Sequence, residues 1–137
     1  MYTLTIMDRD NASGLASVTL LDLLREVKGA LGQLEWVVYS LEVLGIGADK
    51  IYEIERRRAR ISTAELEHLA ATLDQVIDGD FVAYKGDSVE PIVRIRAVDS
   101  TSWDVSTDEH DILERVRRSF KHIYEAGDVG DNRNQVK

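Results

Sequence analysis

The chain has 137 residues, 44% of them hydrophobic and none of them cysteine. That length suits one domain able to bury roughly two-thirds of its unfolded surface, and the composition excludes a disulfide framework, a thiolate metal centre and a cysteine nucleophile. Lys and Arg number 17 against 25 Asp and Glu, a formal net charge of −8, which opposes unselective contact with phosphate backbones and draws in basic partners.

Met1 to Arg9 lacks a basic start followed by an apolar run, and no stretch of about 20 residues is free of charge. Neither a signal peptide nor a membrane span is therefore expected, and the chain reads as cytoplasmic. Tyr2 to Met7 alternates apolar residues with threonine, the period of a strand. Asp8 to Ser17 reads as a loop.

From Thr19 the period becomes helical. Thr19 and Asp22 suit a helix start, and Leu20, Leu24, Val27, Leu31, Leu34, Val38 and Leu41 form one stripe that Gly45 can end. Leu23, Ala30, Val37 and Leu44 widen the stripe, which favours a core-facing helix over a coiled-coil dimer. Gly29, Gly32, Trp36, Tyr39 and Val43 make a second face, buried within the fold or offered to a partner.

A short second helix is expected from Asp49, with Ile51, Ile54 and the run Arg56-Arg57-Arg58-Ala59-Arg60. Ser62 with Glu65 forms a capping box, and Ile61 with Leu66 a hydrophobic staple. They open a third helix whose face is Leu66, Leu69, Ala70, Leu73, Val76 and Ile77, closed by Gly79. Phe81–Tyr84, Ile92–Val98 and Ser102–Val105 then read as an antiparallel meander, with Val93, Ile95 and Ala97 on one face and Arg94 and Arg96 on the other. Ser106 and Glu109 suggest a second capping box, for a last helix to about Tyr124. The fold class expected is α+β: a helical N-terminal half packed on a small antiparallel β-meander, with a C-terminal helix. Residues 1–126 form the single domain and 127–137 a flexible C-terminal tail.

Catalytic motifs are not visible. Gly45-Ile46-Gly47 lacks the third glycine of a dinucleotide loop and follows no expected strand. Glu65-x-x-His68 has the spacing of half a carboxylate-bridged metal site, without its second copy. His110 and His122 fall near helix ends, where dipole effects account for the charges around them. Carboxylate pairs such as Asp74 with Asp78 and Asp99 with Asp104 arise readily in an acidic chain. No enzyme activity, catalytic residue, metal or cofactor is expected.

Leu44-Gly45-Ile46-Gly47-Ala48-Asp49-Lys50-Ile51-Tyr52-Glu53-Ile54-Glu55-Arg56, followed by Ser62, Leu66, Leu69, Ala70 and Leu73, resembles the second half of a phage-repressor-type helix-turn-helix. The resemblance covers residues 44–73 and implies a DNA-binding transcriptional regulator, with Lys50, Tyr52, Arg56, Arg57, Arg58 and Arg60 available as contacts. Ser40, Leu41 and Arg57 depart from that pattern, and Asp49 and Glu53 place acids where bases would lie.

A longer resemblance joins Leu34-Glu35-Trp36 through Leu44-Gly45, Ile61 to Leu66, Leu69-Ala70 and Asp74 to Asp78 to a set of small bacterial proteins of uncharacterised function. Some of these travel with toxin systems and are regarded as immunity proteins. It implies a role without a mechanism. The leading expectation is a non-enzymatic, acidic, immunity-like protein that binds another protein, a basic toxin among the candidates, as monomer or homodimer. Trp36 and Tyr39 would anchor the contact, with Asp78, Asp80, Asp87 and Glu90 around them.

Overall fold

The structure is a computed structural model and describes residues 1–128. Strand β1 (Tyr2–Ile6) leads to helix α1 (Leu20–Leu31), then β2 (Glu35–Gly45), α2 (Ala48–Arg57), β3 (Ile61–Ser62) and α3 (Thr63–Ala70). There follow β4 (Leu73–Tyr84), β5 (Val93–Val98), β6 (Ser102–Thr107), α4 (His110–Ser119) and β7 (Ile123–Asp128). The strands form one seven-stranded sheet in the order β3-β2-β4-β5-β6-β1-β7, antiparallel at every step.

Alternation along the strands decides which face is covered. Leu4, Ile6, Trp36, Val38, Phe81, Val93, Ile95, Trp103 and Val105 point to one side. There they join residues from all four helices in a single core: Leu23, Leu24 and Val27 of α1, Ile51 and Ile54 of α2, Leu66 and Leu69 of α3, Ile112 and Val116 of α4. Thr19 opens α1 with the reciprocal bonds of a capping box. Ser62 Oγ accepts from Glu65 N at the start of α3.

This sheet replaces the expected helical N-terminal half on a small meander. The long helix expected from Thr19 to Gly45 stops at Leu31. Gly32 takes φ 73° and returns its N–H to Lys28 O, a left-handed end that glycine tolerates without strain. Beyond it the β-branched and aromatic run Trp36-Val37-Val38-Tyr39 favours a strand. Helix α3 likewise ends at Ala70, so Leu73, Val76 and Ile77 belong to β4. The expected meander strands survive as the end of β4 with β5 and β6, inside the larger sheet.

At the C-terminal end, Ser106 and Thr107 lie in β6. The start of α4 is served by Thr107 Oγ1, which accepts from Glu109 N at 3.1 Å, and not by the expected Ser106–Glu109 box. Ile123 and Tyr124 belong to β7, not to the last helix. Of the expected tail, Gly127 and Asp128 close β7, and the rest lies outside the described residues.

One edge of the sheet is guarded by a helix. Short β3 pairs only with Glu35 and Trp36 of β2. Farther along, α2 supplies the partners: Glu55 Oε2 accepts from Leu41 N and the Tyr52 hydroxyl accepts from Val43 N, both at 2.9 Å. Covering strand groups in this way blocks edge-to-edge pairing.

Candidate functional site

The face of the sheet opposite the helices carries the most unusual side-chain grouping. Val37 and Val82 sit opposite each other on this face, and both are buried although they stand outside the core cluster. Two arginine–tyrosine stacks lie on the same face. The Arg58 guanidinium lies 4.8 Å from the centre of the Tyr39 ring, and that of Arg60 lies 4.4 Å from the centre of Tyr84.

The local chain explains how the arginines reach this face. Arg58 ends α2 in the left-handed conformation, φ 52°, and its N–H returns to the last turn of the helix. The Arg58–Arg60 linker then turns toward β3 at the sheet edge. Arg58 Nη1 donates to Glu55 O at 2.8 Å, and Arg60 Nη1 pairs with Glu35 at 3.1 Å. Each guanidinium thus has a second tether, which fixes it over its ring.

Tyr84 feels this setting. Burial, and after it the neighbouring Tyr39 phenol, hold its hydroxyl protonated above the usual 10.0, while Arg60 and Arg94 pull the other way. The next strand adds Arg94 and Arg96 across from Val82 and Asp80. Arg94 Nε approaches Asp80 Oδ1 at 3.3 Å, an ion pair without hydrogen-bond alignment, so that oxygen is enclosed with no hydrogen-bond donor among the described residues. Asp78 Oδ1 accepts from Asp99 N, and Asp104 Oδ1 accepts from Thr5 Oγ1. Between these strands lies a shallow depression lined by Ser40, Asp78, Asp80, Arg96 and Val98. The result is a flat surface of alternating charge, with rigid Tyr–Arg pairs at one end.

The residues singled out from sequence separate on this fold. Tyr39, Asp78 and Asp80 come together on the helix-free face. Trp36, expected as an anchor, is fully buried on the core side with its indole bonded to Thr63, so it has no surface to offer a partner. Asp87 and Glu90 are exposed in the loop beyond the far end of β4. Six residues of strand, about 20 Å, separate Asp78 from Tyr84 at that end, so the four acids do not form one patch.

The helix-turn-helix residues also disperse. The place of that unit's first helix, before the Leu44-Gly45-Ile46 turn, is occupied by strand β2. Arg56 and Arg57 pair with Glu53, and Tyr52 is committed to Val43. Lys50 is exposed, while Arg58 and Arg60 lie on the tyrosines. Sequence reasoning missed Tyr84 and Glu35. The alternation of Val82 and Tyr84 beside that of Arg94 and Arg96 is the signal that places Tyr84 here.

Among the described residues, His68, His110 and His122 are all exposed, and no three metal-ligating side chains cluster. No helix among them is long and apolar enough to cross a membrane. Comparison with family models, curated proteins and solved structures finds no match.

Proposed function

We propose that the chain is a non-enzymatic, immunity-like binding protein that recognises a basic protein through its helix-free sheet face in the cytoplasm. The observation that carries this reading is the pair of stacks, Arg58 on Tyr39 and Arg60 on Tyr84, tethered side by side on an open face. Tyrosine and arginine dominate the energetics of protein interfaces, and side chains already held in place lose less entropy on binding. The net charge of −8 draws a cationic partner toward the molecule, and the alternating charges of Asp78, Asp80, Arg94 and Arg96 then select its orientation on the face.

The test is capture from native cells with the wild-type chain and with an Arg58→Ala/Arg60→Ala variant, each checked for intact circular dichroism. The captured protein is then titrated against both. A loss of affinity of about tenfold or more, roughly 1.4 kcal/mol, is expected for the variant. A wild-type chain that retains nothing, or a partner that the variant binds equally well, overturns the reading. Retention on a polyanion column that fades as salt rises would favour nucleic acid instead.

A further inference from the structure

A separate cavity lies at the start of β4, where that strand, the β1–α1 loop and the β5–β6 turn meet. We propose that it is a binding site for a small molecule with a ring-sized apolar body and a cationic end.

The size comes first. The cavity holds about 170 Å³ and opens to solvent at one side, and about 150 Å³ is room for one benzene ring. Leu20, Leu73, Val76 and Trp103 supply the apolar part of the lining, and Thr19, Gln75, Ser100 and Ser102 the polar part. The indole N–H of Trp103 is already spent on Val18 O at 2.8 Å, so its ring is left to pack.

The charge comes from the rim. Asp74 is the sole charged residue of the lining, is exposed, and makes no ion pair among the described residues. A carboxylate at the mouth of a partly apolar cavity favours an ammonium group.

The walls are fixed in place. Ala16 N donates to Ser100 O at 2.7 Å, and Arg9 Nε donates to Thr101 O at 3.0 Å. Asp99 and Ser100 both take left-handed conformations, φ 51° and 61°. They are the two central residues of the β5–β6 hairpin turn, which Thr101 N closes onto Val98 O at 3.0 Å, and positive φ at both is what such a tight turn requires. Gln75 Nε2 and Ser100 Oγ bond at 2.8 Å and hold the rim together.

Amide NMR of the full chain tests this with one ring and three end groups: 2-phenylethylamine, 2-phenylethanol and phenylacetate. The amine is expected to bind best and the carboxylate worst, with shifts at Leu73, Ser100 and the Trp103 indole. Asp74→Asn should weaken the amine about threefold, the scale of an exposed ion pair, and leave the alcohol unchanged. Ala70→Leu, which fills the cavity, should abolish all three. No shift at these positions, equal binding of amine and carboxylate, or full binding by Ala70→Leu overturns the proposal. Should Ala70→Leu fail to fold, the exposed Asp74→Asn decides the matter alone.

Discussion

The indole nitrogen of Trp36 donates to the hydroxyl of Thr63 at 2.9 Å, and both residues are wholly shielded from water. The same hydroxyl accepts from Leu34 N at 2.9 Å. It therefore joins the start of β2 to the first residue of α3 beneath the sheet. Thr63→Val keeps the shape and leaves two buried donors without an acceptor. A loss of about 3 kcal/mol is expected, since each such orphan costs roughly 1–3 kcal/mol. Thr63→Ser should retain most of the stability. Chemical denaturation followed by tryptophan fluorescence measures both.

Gly45 closes β2 at φ 139°, where an added Cβ would stand 2.6 Å from Asp74 N and 2.7 Å from Leu73 Cα. Neither obstacle is the end of a flexible side chain. Gly45→Ala combines backbone strain with a steric clash and should cost at least about 2 kcal/mol. Thermal unfolding checks it, with Gly14→Ala as the comparison: its φ is also positive, but the space around it is open.

The guard on the β2 edge can be loosened while the ring at position 52 keeps its packing against the core. Tyr52→Phe and Glu55→Ala deprive Val43 N and Leu41 N of their acceptors. Each should cost about 1 kcal/mol. The double variant should also self-associate, because unpaired strand groups recruit other strands. Light scattering against protein concentration reports this.

Folding holds the Tyr84 phenol neutral to higher pH than in the unfolded chain. The folded state thus keeps a proton that the unfolded state releases, and stability falls as pH rises past 10.0. Tyr39→Phe should move the Tyr84 titration down by removing the neighbouring phenol, while Arg60→Gln should move it up. Tyrosinate absorbance against pH distinguishes the two shifts.

What the sequence disclosed was local. Thr19 and Ser62 cap helices as their neighbours imply, and Val93, Ile95 and Ala97 alternate with Arg94 and Arg96 on opposite faces. What it concealed were the places where strand and helix periods coincide. Leu34, Val38 and Leu41 fit the helical stripe of α1, yet only tertiary pairing with β4 decides that Val37 and Val38 face opposite sides. In β4 the register shifts opposite Glu42 and Leu44 interrupt the period of two that identifies a strand. Tyr84 stayed hidden because its role depends on Arg60, which is far away in sequence and brought near by β2.

The opening strand β1 lies between β6 and β7. Thr3 reaches its hydroxyl partner, Ser106, across 103 residues. During synthesis, then, Leu4 and Ile6 leave the ribosome well before the β6 and β7 residues they pair with. A nascent chain must carry that apolar strand unsheltered until its C-terminal portion leaves the ribosome, and long-range closure of this sort slows folding. Joining strands so distant in sequence is thereby a late act in building the sheet.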